Sequence, residues 1–150
     1  MNTGENVGGT PPPDSVRPRT RAATAHGLDA PPLPRARCGA GYDIRRGFHL
    51  LLGSETRLVI GSHYVLHRDM TIECRRTLEI GDRTIFGHHC ALGVVDSLII
   101  GPDCLIAEMV AIRNHDNFFD GPSGLPVREQ GTVCAPVKTG SNVWLGEWRC

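Results

Sequence analysis

A four-residue word returns at a constant interval of 20 residues: Leu58-Val59-Ile60-Gly61, Leu78-Glu79-Ile80-Gly81 and Leu98-Ile99-Ile100-Gly101, with Ala40-Gly41 opening a weaker earlier copy. A fixed internal period of this length marks a solenoid, in which one unit stacks on the next, and it outranks any local propensity. Inside each copy large apolar residues recur every six positions: Ile60, Leu66 and Ile72; Ile80, Phe86 and Leu92; Ile100, Ile106 and Ile112. Three steps of six and two further residues complete the repeat.

A step of six suits neither a 3.6-residue helix nor an alternating strand. It suits a coil that turns a corner once per hexad, so that each coil has three flat sides. The inward residue of each hexad then stacks on its counterpart one coil below, in ladders such as Ile60, Ile80 and Ile100 at the roughly 4.8 Å strand spacing. Gly61, Gly81 and Gly101 form the adjoining column, read as the corner where unusual dihedrals are needed. Tyr64, Thr84 and Cys104 on one side and Met70, Cys90 and Val110 on the next suit a narrow interior. Arg76, Asp96 and Asp116 turn the third side outward. The fold expected is all-β, a parallel β-helix.

The repeat does not reach the N-terminus. Residues 1–36 hold seven of the eleven prolines, with Pro11, Pro12 and Pro13 in a row, and are read as a disordered Pro-rich arm ahead of a domain at 38–150. The 150 residues suit one domain, and 16 basic against 16 acidic residues remove the electrostatic footprint of a nucleic-acid binder or a polybasic membrane anchor. Neither an apolar run of about 18 residues nor a signal-peptide core occurs, so no membrane partner is expected and the expected location is the cytoplasm. Cys38, Cys74, Cys90, Cys104, Cys134 and Cys150 are scattered without a C-x-x-C pair and are read as small buried thiols.

The hexads from Ile60 to Ile112 resemble the hexapeptide-repeat acyltransferases, and that resemblance implies a left-handed parallel β-helix over about residues 38–146. A more specific signal follows the third copy. Ile112-Arg113-Asn114-His115-Asp116-Asn117 precedes a break in the hexads, which resume as Val137-Lys138-Thr139-Gly140-Ser141-Asn142-Val143-Trp144-Leu145-Gly146. This is similar to the maltose, galactoside and capsule-sugar O-acetyltransferase branch, where a D-H-x-H segment precedes an inserted loop and P-V-x-I-G-x-x-V-W-I-G restarts the helix. Asn114 stands for the first acidic residue, Asn117 for the second histidine, and Thr139 and Leu145 for isoleucines.

The resemblance implies transfer of an acetyl group from acetyl-CoA to a sugar or glycan hydroxyl, with His115 as general base. An imidazole of ordinary pKa near 6.5 suits that task, because it can take the hydroxyl proton as attack on the thioester carbonyl begins. A backbone N–H would meet the developing oxyanion, and no acyl-enzyme is required. Asp116 or Glu129 is the candidate orienter of the ring. His89, Asn114 and Asp116 are the expected acceptor-binding residues, and Trp144 and Gly146 the expected contacts of the cofactor. No metal is expected, since His63, His67, His88 and His89 do not reproduce the ligand spacing of the carbonic-anhydrase-like members of this fold. The inserted loop, 117–135, is read as functional, its bland alternative being a surface loop anchored by Phe118 and Phe119.

Glu147 stands where the family has a small residue, and the family's further coils do not follow, so the chain is expected to be incomplete at its C-terminus. An expected homotrimer comes from the resemblance, in which neighbouring subunits share each site. A second reading keeps the fold but not the chemistry: an inactive β-helix serving as an oligomerisation or binding module.

Overall fold

The computed structural model describes residues 35–121 and 124–147, so most of the Pro-rich arm lies outside the described residues. The chain winds as stacked coils with three parallel sheets as sides. The first sheet stacks Arg35–Cys38, Arg57–Ile60, Thr77–Ile80, Ser97–Ile100 and Val137–Lys138. The second stacks Asp43–Ile44, Val65–Leu66, Ile85–Phe86, Leu105–Ile106 and Trp144–Leu145. The third stacks His49–Leu52, Thr71–Cys74, Ala91–Val94 and Ala111–Arg113.

The expected ladders are present. Ile60 pairs with Ile80 and Ile80 with Ile100; Leu66 and Ile106 both pair with Phe86; Ile72 and Ile112 both pair with Leu92. All are buried except Ile112, which is half-buried at the top of its side. Leu58, Leu78 and Leu98 form a further inward ladder, and the third side turns Cys74, Val94 and Asn114 inward just ahead of the outward corner.

Four expectations need correction. The first coil is longer than the rest: Cys38 and Gly39 lie under Ile60 and Gly61, a register of 22, so the early copy opens there and not at Ala40-Gly41. The extra length falls after Leu52, where Gly53–Thr56 replaces the shorter Arg75–Arg76 corner of the next coil. That register also places Arg35 and Ala36 in a strand, which moves the start of the coils into the expected arm.

The glycine column also serves another purpose. A Cβ at Gly81 would meet the Gly101 carbonyl carbon at 2.6 Å, so close backbone approach excludes a side chain there. The left-handed corner lies two residues later, where His63, Arg83, Asp103 and Asn142 all have φ of 55–59° and the first coil supplies Gly41. Finally, only Cys74, Cys90 and Cys104 are buried thiols; Cys38 and Cys134 are exposed, and Cys150 lies outside the described residues.

Candidate functional site

The third side is where the coil is interrupted. In lower coils the corner is held by backbone rungs, such as Arg75 N–H donating to Val94 O at 2.8 Å. One coil higher the chain leaves at Asn114 and returns at Ala135, whose N–H takes the Asn114 carbonyl at 3.1 Å. The Val95 N–H therefore loses its expected backbone acceptor. The Asn114 side chain replaces it: Oδ1 accepts from Val95 N at 2.8 Å, and Nδ2 donates to Ser97 O at 3.2 Å. An otherwise misplaced polar residue in the inward column is thus satisfied at both ends. Asn114 is 4 % exposed and lines the groove beside His115, with its amide committed to Val95 and Ser97.

Between departure and return the chain forms an antiparallel hairpin of His115–Asn117 against Thr132–Cys134. The insertion therefore begins at His115, two residues before the expected loop boundary. Its connection contains the 3₁₀ turn Val127–Glu129 and is tied by Gln130, which accepts from Gly121 N and donates to Leu125 O. Phe118 is half-buried but Phe119 is 78 % exposed, so only one of the two expected anchors packs.

His115 projects into a groove of about 410 Å³ walled by Arg113, Asp116, Val133, Cys134 and Val137. The imidazole lies on Gly93, where a Cβ would stand 3.1 Å from Cε1. Arg113 Nη2 lies 3.2 Å from His115 Nε2. A guanidinium only donates, so Nε2 accepts and the ring proton is assigned to Nδ1. That Nδ1 is shut from solvent and has no hydrogen-bond partner among the described residues. Asp116 and Glu129 do not orient the ring: Asp116 Oδ1 accepts from Asn117 N at 2.8 Å, and Glu129 pairs with Arg128.

Trp144 and Gly146 belong to a different groove, of about 710 Å³, on the outer surface of the second sheet. Ile85, Leu105 and Trp144 stack outward in register along its wall. His67 and His88 meet edge to face at 4.7 Å between centroids, and Glu108 and Glu147 also line the groove. His89 lines neither groove. It holds a left-handed corner at φ 57°, with its Nδ1 3.8 Å from Asp69 Oδ2. The expected site residues are therefore divided, with Asn114, His115 and Asp116 in one groove, Trp144 and Gly146 in the other, and His89 outside both. Among the described residues no three His, Cys, Asp or Glu side chains converge to hold a metal ion.

Sequence reasoning missed Gly93, Arg113 and Cys134. Gly93 did carry a signal, as an isolated glycine inside the strand pattern Ala91–Val94, which marks a close approach. Cys134 carried none, because its neighbour is chosen by hairpin register.

No protein-family model matches the chain, and no solved structure matches it. The sequence is similar to Probable acetyltransferase Rv3034c of Mycobacterium tuberculosis, with 29 % identity over 70 residues that cover 47 % of this chain. The matched segment spans 23 % of that relative's length, so the chain corresponds to less than a quarter of it.

Proposed function

We propose that this chain is an acyl-transfer domain that moves an acetyl group from acetyl-CoA to a sugar or glycan hydroxyl, with His115 as general base. The observation that carries the reading is the His115 imidazole itself. It stands at the break in an otherwise regular solenoid, in a groove, with an accepting Nε2 engaged by a removable partner. The name of the Mycobacterium relative supports the reaction class, and the solenoid is consistent with it.

In the proposed step the acceptor hydroxyl displaces the exposed Arg113 guanidinium from Nε2. The hydroxyl proton passes to Nε2 as the oxygen bonds to the acetyl carbonyl carbon; the carbonyl–sulfur bond then breaks, and the departing thiolate of coenzyme A takes up that proton. Gly93 beneath the ring and the hairpin strand beside it limit where the imidazole can move. Asn114 acts through the backbone, by sealing the corner from which His115 projects. Asp116 remains the proposed acceptor contact in this groove. Trp144 and Gly146 are the proposed cofactor contacts, and their separation from His115 within one chain is the argument for a homotrimer, in which one copy's Trp144 groove faces the next copy's His115.

One observation favours the non-catalytic alternative. Among the described residues, the groove proposed for an anionic cofactor is lined by Glu108 and Glu147 and by no lysine or arginine. Calorimetric titration with acetyl-CoA separates the two readings, since the binding module shows no heat. Acetyl transfer to a panel of sugars, followed by thiol release, tests the enzyme. His115→Ala is expected to lower kcat by about 10²-fold with acetyl-CoA affinity unchanged. Unaltered turnover would remove His115 from the mechanism.

A further inference from the structure

The inserted hairpin brings a second nucleophile to the His115 ring. His115 and Cys134 are register partners. Hydrogen-bonded pairs lie an odd number of steps away on both sides, Asn114 and Ala135 one pair before, with Ala135 N donating to Asn114 O at 3.1 Å, and Phe118 and Gly131 three pairs after, with Phe118 N donating to Gly131 O at 3.0 Å. By the alternation of an antiparallel ladder, His115 and Cys134 form a non-hydrogen-bonded pair, the kind in which side chains stand closest, with Cβ atoms about 4.5–5.5 Å apart. Both side chains line the same groove. The thiol is exposed, and the Nδ1 of the ring has no partner among the described residues.

The remaining described thiols differ. Cys74 and Cys90 are buried, and burial pushes both thiols up, away from the reactive thiolate. Cys104 is also buried. Cys38 is exposed but has the Tyr64 phenol as its neighbour, and that phenol is pushed up to about 12, first by burial and then by Cys38. Cys134 alone among these five thiols is both exposed and set opposite an imidazole.

We propose that Cys134 is a second acyl acceptor of the His115 groove, taking an acyl group from a thioester donor to leave the chain S-acylated. The inference rests on the reading of this groove as an acyl-transfer site and adds a competing nucleophile to it. When Arg113 swings away from Nε2, the ring proton can occupy that nitrogen, and a turn of the Cys134 side chain toward the ring then brings the thiol to the unpartnered Nδ1. The Sγ proton passes to Nδ1 as Sγ bonds to the donor's carbonyl carbon. The donor C–S bond breaks, and the departing thiolate takes up the proton. One thioester replaces another, so no oxidant or reductant enters the balance. The S-acyl group then occupies the groove until a thiol or water removes it.

The test treats the full chain with acetyl-CoA and, separately, with the acetyl thioester of N-acetylcysteamine, followed by acid quench, peptide mapping and reversal by hydroxylamine. With at least one donor, Cys134 is expected to acetylate about 10²-fold faster than Cys38 in the same molecules, the range of a positioned general base. His115→Gln is expected to bring Cys134 down to the Cys38 rate while leaving Cys38 unchanged, which also reports that the variant is folded. Cys134→Ser removes the fast adduct. Equal labelling of the two thiols with both donors, or fast labelling that survives in His115→Gln, overturns the proposal. Fast labelling by the short thioester alone supports the pair and counts against acetyl-CoA as donor. Acetyl transfer to a sugar without any Cys134 adduct overturns the pair and leaves the proposed function standing.

Discussion

Two parts of this solenoid follow different rules. From Leu58 to Ile106 each coil repeats the last, and Leu66, Met70, Ile72, Leu78, Phe86 and Leu98 are wholly shut from solvent. From Arg113 to Ala135 the repeat is suspended, and the described residues are mostly exposed apart from Asn114. The first region gains its stability from replication, since each rung satisfies the one beneath it. The second must satisfy an interrupted coil by individual side chains, and in doing so presents a histidine, an arginine and a cysteine around one groove. The candidate chemistry lies where the repeat is broken, and the repeat supplies the rigid floor for it.

The largest effect that would sharpen this contrast is on stability. Phe86 fills the middle of the second side between Leu66 and Ile106, so Phe86→Ala is expected to cost about 3–5 kcal/mol in urea denaturation. Phe119→Ala in the hairpin connection is expected to stay within about 0.5 kcal/mol. Comparable losses would mean that the interruption is as much a part of the core as the coils are.

How far each region was legible follows from the same difference. The ladders of the first region could be read directly, because a side chain's partner lies one period away in sequence. What was misread there depended on local geometry. The glycines at 61, 81 and 101 were assigned to the left-handed corner, whereas the residues that hold it are His63, Arg83 and Asp103, none of which advertises a positive φ. In the second region His115 was found through a motif, but its surroundings depend on pairing across a hairpin of unequal strands, which no period encodes. Hence Cys134, expected among the buried thiols, is exposed, and the two backbone partners of the Asn114 amide are not legible in the sequence. The division of Trp144 from His115 was equally invisible, since residues 29 apart in a coiled path can fall on any side.

The next effect tests the seam between the regions. Asn114→Ala strands the Val95 N–H and the Ser97 carbonyl in a buried corner, at an expected cost of about 1–3 kcal/mol. Hydrogen exchange is the sharper measurement, because the Val95 amide should lose its protection while the Arg75 amide, bonded to Val94 O in the coil below, keeps it. Asn114→Asp retains the acceptor for Val95 and is expected to preserve that amide's protection. Equal protection of Val95 in the alanine variant would show that the break is sealed by something other than the Asn114 amide.

A smaller effect separates glycine used for stacking from glycine used for the site. At Gly81 a new Cβ would collide with the next coil's backbone, so Gly81→Ala is expected to weaken folding. At Gly93 the obstacle is the His115 ring at 3.1 Å, which can yield by a few tenths of an ångström. Gly93→Ala is therefore expected to leave stability within about 1 kcal/mol, helped by the lower entropy of the unfolded chain. The displaced imidazole should lower groove reactivity about tenfold, because reaction rates fall steeply with small errors of position. Acetyl transfer and Cys134 labelling both report it, and a Gly93→Ala protein with undiminished rates in both would detach the ring's position from its function.

The smallest effect concerns an exposed ion pair on the regular coils. Arg83 and Asp103 occupy successive places in the left-handed corner column, and the guanidinium donates to both carboxylate oxygens at 2.6 and 2.8 Å. The hydrogen bonds from Arg83, reinforced by its charge, hold the Asp103 carboxyl below its ordinary 3.8. A carboxyl with a lower pKa in the folded state adds stability above its unfolded value, and that contribution is lost as pH falls through the folded value. Asp103→Asn isolates this term, because asparagine tolerates positive φ and Asn142 already holds the same corner one coil higher at φ 55°. The melting temperature of the parent is therefore expected to exceed that of Asp103→Asn by a small, constant margin at neutral pH. The margin should close as pH drops below about 4, and added salt should shrink it at neutral pH because both side chains are exposed. A margin that persists at pH 2 would mean that the aspartate supports the corner by its shape or backbone fit, and that charge adds nothing to the stacking of the regular coils.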